Sequence, residues 1–367
     1  MKIAYFTTAQ DNDEYLKSKI EINPSNQVFH TNLIECLSLS NSLNVFSCRS
    51  NNFGNKEAYS KKINNVSWDY LKTRKNKFFN LFSQITNSKK SKEKCPIAFV
   101  DAMNIRCLLA AKAYAKKNKI PLIGIVTDNP YILNDANIKA SLRLLKAAKK
   151  CDAFICLTEA LNTLFNKDKK PYVIVKGLSK QTNKNSTPVD YPYFFFAGAL
   201  LKKYGIFNLI NAFKSFKDEN VKLVIAGHNN NDELRSIIEN NSRIDFLGKI
   251  SNEEVLRYEN NSIANINPRP FMEEIDKYSI PSKVIEYSSK NSLIISGYSS
   301  ELKEIFNDSI FWVDEKNTLD KRLLEVYKLD IKTREEMISK TKTICEKEFS
   351  FKSVNKKLED FLSKIIH

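Results

Sequence analysis

Histidine and paired cysteines are scarce in this sequence. Its 367 residues include 3 histidines, and neither His30 nor His228 has a histidine or cysteine at the spacing of a metal-ligand pair. The 7 cysteines are an odd number and form no Cys-x-x-Cys motif, which is typical of buried thiols in a reducing compartment. We therefore expect neither a metal site nor a disulfide framework.

Long apolar runs are also missing. No run approaches the ~20 apolar residues of a membrane-spanning helix, and the longest, 193–201, predicts a buried strand with its turn. The N-terminus begins directly with a predicted strand at 2–6 and lacks the apolar region of a signal peptide. The length allows two domains with full cores, so we expect a two-domain cytoplasmic protein.

Acidic residues are outnumbered by basic ones, 42 to 58, which gives a net charge of +16. Ten basic and two acidic residues lie between 61 and 94, among bulky aromatic side chains. A basic helix with an aromatic face binds an anionic membrane surface, where each basic residue contributes about 1 kcal/mol. The predicted membrane-binding residues are Trp68, Lys72, Arg74, Lys75, Phe78, Phe79 and Phe82.

The basic charge has other interpretations. A second basic segment runs through Lys139, Arg143, Lys146, Lys149 and Lys150. The aromatic residues of the first segment could instead form a domain core, with the lysines only increasing solubility. Binding of nucleic acid is a further possibility, but no nucleic-acid motif is present, and we expect no nucleic-acid partner.

Short apolar runs alternate with amphipathic segments throughout the chain. In the first half, strands are predicted at 2–6, 44–48, 97–100, 122–126, 153–157 and 172–175, with helices that include 106–117 and 137–149. In the second half, apolar runs at 194–197, 223–226, 244–247, 263–266 and 293–295 lie close to five of the 8 glycines. This alternation predicts an α/β protein with two doubly wound, Rossmann-like domains.

The segment 278–287, Tyr-Ser-Ile-Pro-Ser-Lys-Val-Ile-Glu-Tyr, carries the clearest functional pattern. Pro281 suits the first position of a helix, which places Ser282 and Lys283 in a first turn that attracts anions. Glu286 shares their face because it lies three residues after Lys283. A cation can bind a diphosphate, and a carboxylate can accept from both ribose hydroxyls. The pattern therefore indicates a nucleotide-sugar site, although a capped surface helix would have the same spacing.

Residues 193–297 resemble the donor-binding domain of the GT-B glycosyltransferases, in particular the retaining family four, glycosyl transferases group 1. The resemblance rests on an ordered series of short motifs: Phe196-Ala197-Gly198, Gly205-Ile206, Ile225-Ala226-Gly227, Phe246-Leu247-Gly248, Asn267-Pro268-Arg269 and Pro281-Ser282-Lys283 followed by Glu286-Tyr287. It implies two domains that face a cleft and a C-terminal helix that crosses back to the N-terminal domain. The residues that it implies for donor binding are Gly198, Lys202, Lys203, Gly227, His228, Arg269, Tyr278, Ser279, Pro281, Ser282, Lys283 and Glu286.

Two positions depart from the family pattern. The family has two glutamates separated by seven residues; Glu286 matches the second, but Tyr278 occupies the position of the first. The basic residue that usually follows the glycine of the first strand is Ala199 here. Lys202, Lys203 or Arg269 could supply that charge instead. Sugar recognition is the property most affected by these departures.

The predicted domains are an N-terminal acceptor domain at 1–188 with a basic aromatic insertion near 50–95, a donor domain at 189–349 and a crossing helix at 350–367. Asp128 follows the predicted strand 122–126, at the strand end where open parallel sheets bind ligands. It could orient an acceptor hydroxyl or serve as a base, or it could simply form a turn. The predicted catalytic residues are Asp128, Arg269 and Lys283.

The resemblance implies a retaining, metal-independent hexosyltransferase that uses a nucleoside-diphosphate sugar, with uridine as the favoured base, and no other cofactor. A polyprenyl-diphosphate-linked acceptor would explain the basic aromatic segment and suggests capsule or O-antigen polysaccharide synthesis at the inner face of the plasma membrane. Two alternatives are a GT-B partner protein with impaired catalysis, favoured by Tyr278 and Ala199, and a GT-B-like sugar-nucleotide epimerase.

Overall fold

The structure, a computed structural model, describes residues 1–17, 24–48, 57–71, 85, 94–133, 137–180, 189–228 and 231–366. Its contacts divide the chain into two compact units. The first comprises Met1–Leu178, Lys277–Ile280 and Phe351–His367, and the second comprises Ser179–Asp276 and Pro281–Ser350. The sequence places the domain boundary at residue 188, which lies outside the described residues.

The first unit is built on one sheet. Its strands are β1 Lys2–Thr7, β2 Ser42–Ser47, β3 Tyr59–Ile63, β4 Val66–Tyr70, β5 Ile97–Asp101, β6 Leu122–Val126, β7 Ala153–Cys156 and β8 Tyr172–Ile174. Their order is β3-β4-β2-β1-β5-β6-β7-β8, and every pairing is parallel except that of β3 with β4. The strand order reverses at β1, between β2 and β5, and ligands bind open sheets of this kind at the carboxyl ends of such strands.

Six described helices belong to the first part of this unit: α1 Asn12–Lys17, α2 Pro24–Leu37, α3 Ile105–Asn118, α4 Pro130–Leu133, α5 Ile138–Ala148 and α6 Glu159–Phe165. Local capping fixes their ends. Asn104, for example, accepts from the backbone N–H groups of Arg106 and Cys107 at the start of α3, and Lys119 ends the helix at φ 53.

The second unit has a smaller, wholly parallel sheet. Its strands are β9 Tyr193–Ala197, β10 Lys222–Ala226, β11 Ile244–Gly248, β12 Ala264–Asn267, β13 Leu293–Gly297 and β14 Phe311–Val313, in the order β11-β10-β9-β12-β13-β14. The helices are α7 Ile206–Lys214, α8 Asp232–Glu239, α9 Asn252–Asn261, α10 Glu273–Asp276, α11 Ser282–Tyr287, α12 Ser300–Phe306, α13 Leu319–Lys328 and α14 Ile331–Phe349. Ser251 and Glu254 form a capping box at the start of α9.

The last helix, α15 Phe351–Ile366, groups with the first unit. Val354, Leu358, Phe361 and Leu362 are buried there in the same cluster as Leu33 and other apolar residues of α2, β1 and β2. The four side chains lie on one face at helical spacing.

The two parallel α/β sheets confirm the predicted fold class. The main difference lies in the segment 61–94, where the sequence predicts a basic helix. Residues 59–70 instead form the antiparallel hairpin β3–β4, and β4 pairs in parallel with β2. Trp68 aligns with Val45 in that pairing and packs into the core. It is 4% exposed, so the prediction that Trp68 contacts a membrane is wrong.

The other predicted membrane-binding residues, Lys72, Arg74, Lys75, Phe78, Phe79 and Phe82, lie outside the described residues. Lys61, at the start of the same basic segment, donates to Asp11 Oδ1 at 3.0 Å and to Asp13 Oδ2 at 2.7 Å. Part of the charge of this segment is therefore balanced within the first unit. Among the described helices, none combines the length and the apolar character needed to cross a bilayer.

Candidate donor site

The carboxyl edge of the second sheet is built around close backbone approaches. Gly227 has φ +152, and a Cβ there would lie 2.1 Å from the carbonyl oxygen of Gly198. A Cβ at Gly205 would lie 2.0 Å from the Pro268 carbonyl oxygen, and one at Gly297 would lie 1.9 Å from that of Arg269. Glycine is required at these positions because the loops after β9, β10, β12 and β13 meet without space for a side chain.

Helix α11 presents the residues with the clearest ligand-binding chemistry. It contains six residues, Ser282–Tyr287, and Pro281 is its N-cap with φ −70 and ψ 89, one position earlier than the sequence predicts. No side chain caps it. A helix this short has a weak dipole, so attraction of an anion depends mainly on the side chains. Lys283 Nζ lies 2.9 Å from Glu286 Oε2 across one turn.

The Lys283–Glu286 pair has strongly perturbed proton affinities. Burial disfavours both charged forms, but mutual attraction outweighs it. The pKa of Lys283 is therefore raised above its ordinary value, with Glu286 as the main favourable neighbour, and the pKa of Glu286 is lowered by Lys283. Both side chains remain partly accessible, at 32% and 40%. The pair is thus ionised at neutral pH and can be reached by a ligand.

Glu259, on α9, is the residue that the sequence interpretation missed. Its side chain is 0% exposed, and its Oε1 lies 3.8 Å from Lys283 Nζ. Its Oε2 lies 3.9 Å from Nζ of Lys290, which is itself 2% exposed. Burial, together with the nearby charge of Glu286, raises the pKa of Glu259 to about 8 against the opposing effect of the two lysines.

Arg269, in the loop after β12, is held by a carboxylate. Its Nη2 lies 3.0 Å from Asp276 Oδ1, and the backbone N–H of Met272 donates to Asp276 Oδ2 at 2.6 Å. The arginine side chain is 22% exposed. Arg269 is thus oriented by a buried carboxylate, which also neutralises part of the charge that it could offer to a phosphate.

The other candidate residues of this edge are more exposed. Lys202 and Lys203 belong to the 3-10 turn Lys202–Tyr204 that precedes Gly205, and both are exposed. The ammonium of Lys203 lies 5.2 Å from the centre of the Tyr204 ring. His228 directly follows Gly227 and is exposed. These side chains lie on loops at the carboxyl edge, and none of them has a fixed polar partner among the described residues that would define a phosphate site.

Tyr278 and Ser279 group with the first unit rather than with α11. Tyr278 is half-buried against the first unit's core, and the ammonium of Lys277 lies 5.3 Å from the centre of its ring. A tyrosine in the position of the family's first glutamate therefore has an evident packing role. Its predicted role in donor binding remains a prediction.

The carboxyl edge of the first sheet carries its own polar group. Asp128 is half-buried after β6, but the turn there is formed by Asn129, whose Oδ1 accepts from Tyr131 N at 2.9 Å. Nearby on the chain, Thr127 Oγ1 is buried without a hydrogen-bond partner among the described residues, as are both side-chain polar atoms of Gln10 after β1. Polar groups of this kind can bind hydroxyl groups of a ligand.

Asp101, at the end of β5, is buried in a second polar cluster of the first unit. His30 Nε2 lies 3.6 Å from Asp101 Oδ2, and Tyr5 Oη lies 2.7 Å from His30 Nδ1. Burial raises the pKa of Asp101, but His30 together with hydrogen bonds from Met103 and Asn26 outweighs burial, and the net shift is downward. In the described part of the chain, no group of three or more His, Cys, Asp or Glu side chains is arranged to hold a metal ion.

Comparison with known proteins finds a family match for most of the second unit. A family model described as Glycosyl transferases group 1 matches residues 179–344. No curated protein sequence matches the chain. The fold is similar to that of sucrose-phosphate synthase from Thermosynechococcus elongatus, with a TM-score of 0.69, 12% identity and coverage of 99% of this chain and 98% of the other.

Two further solved structures have the same fold. HepE from Anabaena in complex with UDP has a TM-score of 0.68 at 12% identity, with 99% of this chain and 100% of that chain covered. Trehalose-6-phosphate synthase OtsA has a TM-score of 0.67 at 8% identity, with 99% and 98% covered. Likeness at these identities shows the fold alone, which is GT-B.

Proposed function

We propose a donor and an acceptor for this chain, which is a glycosyltransferase with the GT-B fold and a group 1 domain at residues 179–344. The donor is a nucleoside-diphosphate sugar, and the acceptor is a saccharide carried on a membrane lipid. The observation that carries the donor assignment is the Lys283–Glu286 pair, 2.9 Å apart on the half-buried face of α11.

The two side chains supply complementary functions. Lys283 is a cation that can move from Glu286 to a diphosphate, and Glu286 is then available to accept hydrogen bonds from the two ribose hydroxyls. UDP is the favoured nucleotide because HepE, which shares the fold, is described in complex with UDP. Lys202, Lys203, His228 and the loop glycines provide further contacts around the donor.

Catalysis then depends on stabilisation of the departing diphosphate. Fixed cations stabilise developing negative charge without the cost of reorganisation, and Lys283 and Arg269 are the candidates, with Arg269 oriented by Asp276. Asp128, in the first unit, would orient the acceptor hydroxyl. The buried polar atoms of Gln10 and Thr127 would bind other hydroxyls of a saccharide acceptor. Transfer with retention and without a metal ion is the expected outcome.

A thermal-shift screen tests the donor assignment. The purified protein is heated with UDP, GDP, ADP or their sugars, in the presence and absence of EDTA. A ligand that binds only the folded state raises the melting temperature by mass action. We expect a shift with one nucleotide family, of equal size with EDTA. No shift with any nucleotide would contradict a nucleotide-sugar donor, and a shift that EDTA removes would contradict the metal-independent site.

A turnover assay separates a transferase from an inactive partner protein. A donor that shifts the melting temperature is incubated with polyprenyl-diphosphate-linked saccharides, and the anomeric configuration of the product is read by NMR. We expect transfer with retention. Nucleotide binding with no transfer to any acceptor would favour the alternative of a GT-B protein with impaired catalysis. Tyr278, in the position of the family's first glutamate, suggests this alternative.

Within the part of the chain that the structure describes, the surface that best fits an anionic membrane is the outer face of α5. Its inner face buries Ser141, Leu144 and Ala148. On the outer face, Ile138 and Leu142 are 61% and 53% exposed. They lie beside Lys139, Arg143 and Lys146, which are also exposed, and the helix contains no acidic residue. A helix with this pattern lies in a membrane interface.

The neighbouring helix α4 extends this face. Ser141 Oγ donates to the Pro130 carbonyl oxygen at 2.8 Å and ties the two helices together, and Ile132 on α4 is 44% exposed. Three basic residues contribute about 3 kcal/mol near an anionic surface, and two inserted aliphatic side chains add about 1.5–3 kcal/mol each. Binding of this strength is reversible, as a peripheral enzyme at the inner face of the plasma membrane requires.

Vesicle sedimentation tests this surface. We expect the protein to bind anionic phosphatidylglycerol vesicles more strongly than neutral phosphatidylcholine vesicles, and the binding to weaken with salt. The double variant Ile138→Ser/Leu142→Ser should release the protein. Leu324→Ser is the matched control, because Leu324 is 45% exposed on α13. Unchanged binding of the double variant would exclude this face as the membrane contact.

A further inference from the structure

Glu259 is a buried acidic group that the proposed donor contacts leave unexplained. Its carboxylate is 0% exposed, and neither oxygen has a hydrogen-bond partner within the described residues. The charged and titratable groups around it come from helix α11 and from the turn that follows it. Lys283, Glu286 and Tyr287 lie on α11, and Lys290 follows that helix.

Among the described residues, the two ammonium groups are what stabilises the ionised form of Glu259. A buried carboxylate without hydrogen-bond donors is costly to ionise, so it depends on Lys283 at 3.8 Å and Lys290 at 3.9 Å. Lys283 is already closer to Glu286, at 2.9 Å. A diphosphate bound to Lys283 would be a third anion that depends on the same cation.

We propose that Glu259 takes up a proton from solvent when a nucleoside diphosphate binds Lys283, and returns it when the nucleotide leaves. This inference rests on the donor site of the proposed function. Two effects act in the same direction: the diphosphate draws Lys283 away from Glu259, and it brings several negative charges into the same low-dielectric region. Both favour the neutral carboxylic acid, and no covalent bond changes.

The free protein is poised for such an exchange. Because the pKa of Glu259 is raised to about 8, the group is close to half protonated in mildly alkaline buffer. A further rise of about one pKa unit on binding, which corresponds to ~1.4 kcal/mol, would add about 0.4 proton at pH 8. At pH 6 the group is already protonated, and almost no uptake remains.

Isothermal titration calorimetry measures the proton directly. UDP is titrated into the full chain at pH 8 in Tris and in HEPES, which have different ionisation enthalpies, and the difference in observed enthalpy gives the number of protons taken up. The phosphate of UDP, with a second pKa of about 6, is already ionised. We expect an uptake of about 0.4 proton at pH 8. At pH 6 Glu259 contributes almost no uptake, and proton exchange there is a release from the half-protonated phosphate of UDP.

Two variants test whether Glu259 is the group that takes up the proton. Glu259→Gln keeps the shape of the side chain without a titrating group and should abolish the uptake at pH 8 while it still binds UDP. Glu253→Gln makes the same change at an exposed position of α9 and should leave the uptake unchanged. Uptake that persists in Glu259→Gln would overturn the assignment.

Calorimetry of the wild type alone also tests the role of Glu259, even if Glu259→Gln does not fold. UDP binding with the same enthalpy in both buffers at pH 8, or with equal uptake at pH 6 and pH 8, overturns the role of Glu259 but leaves the donor site intact. No binding of UDP, GDP or ADP overturns the proposed function itself. The two failures are therefore distinguishable.

Discussion

Lys283→Met is the perturbation that tests the structure of the candidate site most fully. The substitution keeps most of the side-chain volume but removes the ammonium that lies 2.9 Å from Glu286 and 3.8 Å from Glu259. Breaking a fully buried pair costs 3–5 kcal/mol, and exposed pairs contribute about 0–1 kcal/mol. Since Lys283 and Glu286 are 32% and 40% exposed, we expect the free energy of unfolding to fall by about 1–3 kcal/mol.

The loss should depend on pH. Lys283 lowers the pKa of Glu286, so the pair stabilises the fold above the unfolded-state pKa of about 4.3 and loses that contribution as the pH falls through the lowered value. In the variant, both carboxylates can become neutral at low pH but repel each other when ionised. The destabilisation should therefore be larger at pH 8 than at pH 5.

Urea denaturation followed by tryptophan fluorescence provides the measurement. The chain has 2 tryptophans, of which Trp68 is in the first unit and Trp312 is buried in the second. In a Trp68→Phe background, Trp312 therefore reports on the unit that contains Lys283. Lys303→Met is the matched control, because its 3.2 Å ion pair with Asp308 is exposed and should contribute less than about 1 kcal/mol. Equal stability of Lys283→Met and the background at pH 8 would refute the reasoning.

Three further substitutions test the packing. Trp68→Ala should lower the free energy of unfolding by about 3–5 kcal/mol and leave vesicle binding unchanged. Weaker vesicle binding with no loss of stability would instead show that Trp68 contacts the membrane. Gly297→Ala should lower the free energy of unfolding by about 1–3 kcal/mol. Gly198→Ala should lower it less, because its new Cβ would meet the movable ring of Phe196 at 3.3 Å. Equal melting temperatures of the two variants in calorimetry would contradict this. Leu358→Ala, in α15, should cost about 2–5 kcal/mol in denaturation, and a loss below about 0.5 kcal/mol would show that α15 adds little to the first unit's core.

The sequence was most informative where burial is continuous. Parallel strands covered on both faces are apolar along their length, so strands such as β6 and β10 could be located within about one residue. The sequence pattern does not predict the hairpin β3–β4, because β3, Tyr59–Ile63, is a largely exposed edge strand with two lysines. The basic sequence neighbours of Trp68 predict a membrane surface, whereas its burial results from the pairing of β4 with β2, which is distant in sequence.

The candidate site was predictable only in part. The spacing of Lys283 and Glu286 fixes their shared helix face, and the structure pairs them. Glu259 gave no comparable signal, because a glutamate in a helix with a capping box is usually exposed. Its burial depends on how α9 packs near Lys283 and Lys290, which are more than twenty residues away along the chain. Long-range packing of this kind has no local sequence pattern.

The affinity for UDP in the Glu286→Ala variant tests the central claim most directly. Calorimetry at pH 7.5 with EDTA compares the wild type, Glu286→Ala and the control Glu239→Ala, an exposed glutamate on α8. Hydrogen bonds to a charged group contribute about 1.5–3 kcal/mol each, so loss of the ribose contacts should weaken UDP binding at least ~10-fold, with the control unchanged. UDP binding of equal affinity in Glu286→Ala and the wild type would contradict a nucleotide site at Lys283 and Glu286.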